Sequence, residues 1–226
     1  MSALRRRRTP ALRALASGVL ALLSSVTGVV AGVGLTEPST GASFPLLRAA
    51  PGTDAPLDLT GVGVRKRLVF KVYAFGLYVD GAAARRELAR WAGHTAEALA
   101  GDEEFYRALT TLNGDRLAVL HFVRSVSADQ MRTAMTEALD RGVAQNDPAR
   151  TAFLNLWTSA IADGEDVLLH FSADGAVTLL RGGAAVGTVR SAEVSRSLLE
   201  SWLGPRPVSE NIQRGVAARV PAILAN

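Results

Sequence analysis

The chain contains no cysteine. That removes disulfide scaffolds, thiolate zinc and iron–sulfur sites, and cysteine nucleophiles together. Histidine is nearly as scarce: His94, His121 and His170 stand far apart, with no His-x-x-x-His pair, so no metal site and no cofactor are expected. A phosphate loop is missing too. Gly61-Val62-Gly63-Val64-Arg65 holds two glycines of a dinucleotide fingerprint, lacks the third, and runs into a strand instead of a helix. No serine sits in a nucleophile-elbow context, so hydrolase chemistry has no support. No internal repeat is present. What remains is 226 residues at 48% hydrophobic and 20% charged, enough for one ordinary globular domain with a short extra segment ahead of it.

The net charge of +4 is unevenly placed. Arg5, Arg6, Arg7, Arg8 and Arg13 fill the amino terminus with no acid among the first 13 positions, whereas from residue 14 onward 20 basic residues face 21 acidic ones. The body is therefore close to neutral and has no basic stripe with interleaved aromatics, so nucleic acid is not an expected partner. After the arginines, Ala14 to Leu35 runs 22 residues without a charge. A basic cluster followed by an apolar run is the layout of a signal peptide or an uncleaved signal anchor. Small residues place cleavage after Ala31 or after Ala42. Residues 1–35 are thus expected to direct export, to a periplasm or the cell exterior, with membrane contact only through this segment. Residues 36–55, rich in Pro, Gly, Ser and Thr, read as linker, and 56–226 as the domain.

Within the domain, Leu57 to Val79 reads as two strands. The second is apolar on both faces, with Lys71, Tyr73, Phe75 and Leu77 on one and Phe70, Val72, Ala74, Gly76 and Tyr78 on the other, so both faces are covered. Gly76 marks a bulge or a close approach. Ser127, Asp147, Ser191 and Ser209 cap helices, the first with Gln130 at capping-box spacing and the second with Pro148 behind it. The helix from Pro148 is expected to carry Phe153, Leu156, Trp157 and Ile161, and the last helix Ile212, Val216 and Val220. Asp174-Gly175 and Gly182-Gly183 between apolar runs signal hairpins. Strands, helices, strands, helices without regular alternation indicate an α+β fold, an antiparallel sheet with helices on one side.

Arg65 carries the most chemical weight, because it ends the Gly-x-Gly-x-Arg segment and precedes an apolar strand. A guanidinium there is costly to bury without an anion, so it reads as a clamp for a carboxylate, phenolate or enolate. The plainer alternative is a surface arginine on an edge strand. Tyr73 reads as a core or rim aromatic, Met131 and Met135 as core filler or a pliable pocket wall, and Ser201 as a solvent-facing hydroxyl.

The segments TGVGVRKRLVFKVYAFGLYVDG (60–81), EEFYRALTTL (103–112), VRSVSADQMRTAMTEAL (123–139) and LLESWLGPRPVSENIQRGVAARVPAIL (198–224), in this order, resemble the chalcone isomerase family over residues 57–224. That family includes plant enzymes that cyclise chalcones, fatty-acid-binding plastid proteins, non-catalytic relatives and exported bacterial proteins. The resemblance implies an open-faced β-sandwich, a large antiparallel sheet under a layer of helices, with a ligand cleft between them. It matches Arg65 to the arginine that polarises the substrate. Tyr73 and Ser201 stand where the enzymes carry threonines, Met131 where they carry the catalytic tyrosine, and Ala138 where they carry an asparagine; Trp202 lies beside Ser201. With Met131 and Ala138 in those places the enolate-stabilising network loses its main donors, which typically costs about 3–4 kcal/mol of transition-state stabilisation.

The expected role is therefore a non-catalytic binder of a fatty acid or similar apolar carboxylate. Arg65 holds its head group, and Tyr73, Met131, Met135, Ala138, Ser201 and Trp202 complete the site. The alternative is an intramolecular oxa-Michael isomerase acting on a polyphenol-like or other substrate, with Arg65, Tyr73 and Ser201 as its candidate catalytic residues and Tyr73 as proton donor.

Overall fold

The structure is a computed structural model that describes residues 34–52 and 55–226. The expected leader lies outside the described residues except for Gly34 and Leu35. Its main feature is a seven-stranded antiparallel sheet in which every strand pairs with its neighbours in sequence. The strands are β3 (Leu47–Arg48), β4 (Leu57–Arg67), β5 (Phe70–Val79), β6 (Arg116–Phe122), β7 (Asp166–Phe171), β8 (Ala176–Arg181) and β9 (Ala184–Arg190). The hairpins at Asp174-Gly175 and Gly182-Gly183 form as their turn chemistry dictates, with positive φ at all three glycines.

One face of the sheet carries the helices. These are α1 (Gly81–Glu87), α2 (Ala96–Ala100), α3 (Glu103–Thr110), α4 (Ala128–Leu139), α5 (Pro148–Leu154), α6 (Ala192–Leu203), α7 (Glu210–Ala217) and α8 (Val220–Leu224). Their apolar stripes meet Phe75, Leu77, Ala118, Leu120, Phe122, Leu169 and Leu179 in one continuous core. Ser127 and Gln130 form the full capping box of α4, and Asp147, Ser191 and Ser209 cap α5, α6 and α7. Two helix ends differ from expectation. Helix α5 stops at Leu154, and Ile161 instead exchanges backbone hydrogen bonds with Val126. The last helix divides at Ala218-Arg219, where the Arg219 N–H donates to the Thr60 carbonyl at 2.8 Å, and Pro221, which has no N–H to continue the ladder, falls in the first turn of α8.

The stretch expected to be linker is part of the fold. Strands β1 (Gly34–Thr36) and β2 (Ser43–Pro45) pair, and Phe44, only 1% exposed, packs on the outer face of the sheet with Leu57, Leu59, Ala74, Tyr78, Leu117 and Val119. Gly76 is the reason Phe44 fits: a Cβ there would stand 2.6 Å from its ring. Strands of two and three residues are too short to show periodicity, and Pro, Gly, Ser and Thr around them carry a loop composition. This is why the sequence pattern misses them.

Candidate functional site

Strand register brings Arg65 and Tyr73 together. They are direct partners across β4 and β5, so their side chains stand on one face, the face that meets the helices. Tyr73 in turn opposes Phe122 on β6, with ring centroids 5.4 Å apart. Between Arg65 and the next pair, Lys66 and Lys71, the register slips by one residue, and Val72 is the extra one. That bulge reverses the expected alternation at the start of β5. Phe70 and Val72 turn toward the helix side with Tyr73, and Lys71 reaches the other way to donate to the Ser39 carbonyl.

Beyond residue 58, no second strand among the described residues pairs with β4, and α7 covers that edge. The Val64 N–H donates to Asn211 Oδ1 at 2.7 Å, and the Ser209 hydroxyl donates to the Val64 carbonyl at 2.8 Å. Gly61 and Gly63 allow this: a Cβ on the first would lie 1.9 Å from the Gly215 carbonyl oxygen, and on the second 2.6 Å from Ile212 Cα. Close helix approach is thus the use of the Gly-x-Gly pair. The same contact fixes the loop between α6 and α7, where the Val208 carbonyl accepts from Arg65 Nη1.

In front of Arg65 and Tyr73 lies a cavity of about 310 Å3, at the small end of ligand pockets, which run from roughly 300 to 1,000 Å3. All seven site residues inferred from the sequence line it: Arg65 and Tyr73 from the sheet, Met131, Met135 and Ala138 from α4, and Ser201 and Trp202 from α6. Residues not anticipated complete it. Gln130 and Ala134 belong to the Met131 face of α4 at helical spacing, a signal present in the sequence. Phe70 and Val72 depend on the bulge, and Arg124, Val126 and Val208 on loops, for which the sequence holds no comparable sign.

No carboxylate among the described residues pairs with Arg65. Arg67 and Arg124 join it around the cavity, and Glu137 is the one acidic side chain among the described lining residues. The Tyr73 hydroxyl accepts from Trp202 Nε1 at 3.0 Å, and its own proton has no acceptor among the described residues. Burial pushes the Tyr73 phenol above its usual pKa, opposed by the Arg65 cation and the Trp202 hydrogen bond. It therefore stays a neutral donor. Ser201 differs from expectation: it is 2% exposed, and its hydroxyl donates to the Leu198 carbonyl at 2.6 Å instead of facing solvent. Met131 and Ala138 offer no donor. The arrangement holds a guanidinium and an O–H without an acceptor among the described residues, at the head of a cavity walled by thioethers, alanines, valines and indole. Among the described residues, no group of three His, Asp or Glu side chains is placed to hold a metal ion.

Residues 40–216 match the model of the chalcone isomerase-like family. The chain is 27% identical over 216 residues to a chalcone–flavanone isomerase of Zea mays, covering 83% of this chain and 89% of that protein. It is 28% identical over 214 residues to the one of Canna generalis, covering 86% and 95%. Among solved structures, the Arabidopsis thaliana fatty-acid binding protein AtFAP1 superposes with a TM-score of 0.72 at 24% identity, over 86% of this chain and all of that one, a likeness of fold.

Proposed function

We propose, on the premise that this chain belongs to the chalcone isomerase-like family, that it is a non-catalytic binder of a fatty acid or similar apolar carboxylate. The observation that carries the reading is the pair at the head of the cavity. Among the described residues Arg65 has no acidic partner and the Tyr73 hydroxyl proton has no acceptor, so together they supply charge and two donor directions to one carboxylate. The apolar wall supports an alkyl tail, and a fold shared with a fatty-acid binding protein supports the same class of ligand. The shortage of donors bears on catalysis. At the positions matched to the isomerases' tyrosine and asparagine stand Met131 and Ala138, which leave an enolate without the hydrogen bonds that lower its energy.

A second reading, oxa-Michael isomerisation, is favoured by one observation: Tyr73, a protonated phenol beside Arg65, is placed to donate to a developing enolate. One set of preparations separates the two. Protein purified from cells is expected to release fatty acid on solvent extraction, and Arg65→Ala to bind it about 10- to 100-fold more weakly, the worth of a charge-assisted hydrogen bond. Unchanged affinity in that variant ends the first reading. Conversion of naringenin chalcone no faster than the spontaneous reaction ends the flavonoid form of the second. The leader supports export as the setting, with membrane anchoring as the alternative.

A further inference from the structure

The β4–β5 hairpin is built against the usual rule. Leu68 and Val69 form its two-residue turn, where Asn-Gly or Asp-Gly is the ordinary choice, and the two other hairpins of the sheet turn on Asp174-Gly175 and Gly182-Gly183. Leu68 has φ +55° and is the single non-glycine residue with positive φ among the described residues, a conformation that glycine or asparagine adopts at less cost. Leu68 is 89% exposed, Val69 82% and Phe70 55%, so three of the five exposed large apolar residues of the described chain are consecutive. Around the tip stand Lys66, Arg67, Lys71 and Arg124, all exposed, the last with its guanidinium 4.8 Å from the Phe70 ring centroid. No acidic residue occurs between Asp58 and Asp80, and both lysines of the chain lie here. Leu68, Phe70, Arg67 and Arg124 also line the mouth of the cavity.

We infer that this tip is a membrane-docking element that inserts Leu68, Val69 and Phe70 into the acyl boundary of an anionic bilayer while the four cations meet its head groups. Apolar side chains flanked by Lys and Arg are the composition of interfacial anchors. Each such side chain moved out of water favours partition about 10- to 100-fold. Docked this way, the mouth of the cavity faces the bilayer, and an acyl chain passes between membrane and cavity without crossing water. This extends the fatty-acid reading, but docking itself is measured independently of it.

The absence of cysteine makes the test direct. Full-length Val69→Cys carries an environment-sensitive fluorophore on its single thiol; Val69 does not line the cavity. Full-length Ala173→Cys, in the exposed turn at the opposite end of the sheet, is the reference. On vesicles of phosphatidylcholine with phosphatidylglycerol, the fluorophore at 69 is expected to brighten severalfold, shift to the blue and be quenched by spin-labelled lipid. The effect should weaken at high salt and on phosphatidylcholine alone, whereas the fluorophore at 173 is unchanged. If the chain sediments with vesicles while the probe at 69 stays as wet as the one at 173, only the amino-terminal segment holds it and the proposal fails. It fails equally if nothing sediments. Insertion by a chain that extracts without fatty acid leaves docking standing and removes the cargo.

Discussion

Arg65 and Tyr73 divide the work of holding an anion between charge and direction. Arg65 lends one N–H to Val208 and keeps the rest of its fork, and Tyr73 contributes a single O–H oriented by Trp202. Because burial raises the Tyr73 pKa, the phenol stays protonated through about pH 10, where an ordinary tyrosine is half ionised. The stability that comes from burying it neutral is likewise present below about pH 10 and lost as pH rises further. Affinity for a fatty acid, followed by titration calorimetry, is therefore expected to stay level from about pH 6 to about pH 10. It should fall only below about pH 5, as the ligand's own carboxyl takes up a proton. A decline beginning near pH 8 would mean that burial does not keep the phenol protonated. Tyr73→Phe should also lower unfolding stability by about 1–3 kcal/mol in urea, because it leaves the buried Trp202 N–H without an acceptor.

At the scale of elements, the crossing of α7 over β4 governs the site from a distance. Gly215 meets the Val62 carbonyl so closely that a Cβ would lie 1.9 Å from its oxygen, and both partners are backbone, which has little room to give. Gly215→Ala is expected to cost about 3 kcal/mol of stability in denaturant unfolding. It should also weaken ligand binding, since α7 anchors the loop that presents Val208 to Arg65. Gly101→Ala is the control. It has αR backbone and its nearest neighbour at 3.9 Å, so it should be nearly neutral. Equal stability of the two variants would show that the crossing is not tight. Much at this scale was legible in advance. The four caps were set by local side-chain-to-backbone bonding, and the glycine hairpins by their turn residues. The stripe Met131, Met135, Ala138, Leu139 was visible as well, but its pattern does not tell cavity wall from core. The first three line the cavity and Leu139 only the core, a division that depends on where α6 and the sheet stand.

For the whole molecule, the β1–β2 flap is a wall and not a tether. The Glu37 carboxylate accepts from the side chain of Ser39 and from both the amide and hydroxyl of Thr40, and Ala42 is buried in the outer core. Burial alone would raise the Glu37 pKa, and these hydrogen bonds outweigh it and hold the carboxyl below its ordinary value. Of the two cleavage positions read from the sequence, the one after Ala42 would remove β1 and Glu37 and expose Phe44. We therefore propose export with cleavage after Ala31. Mass spectrometry of the chain recovered from the periplasm of a Gram-negative host should find a mature protein beginning at Gly32. A mature chain beginning at Ser43 would contradict this role of the flap, and an uncleaved chain in the membrane fraction would mean an anchor.

The α+β class, the two-sided burial of β5 and the weight on Arg65 followed from the sequence alone, because each rests on periodicity, local capping or the cost of burying a charge. The match of Tyr73, Met131, Ala138 and Ser201 to a known cleft came from motif order. Tertiary structure decided the rest. The bulge at Val72 sets which side chains of β5 enter the cavity, the α6–α7 loop gives Arg65 its carbonyl, and the helix layer leaves Ser201 dry. These depend on contacts between residues far apart in the chain, whose energies no window of neighbouring residues contains.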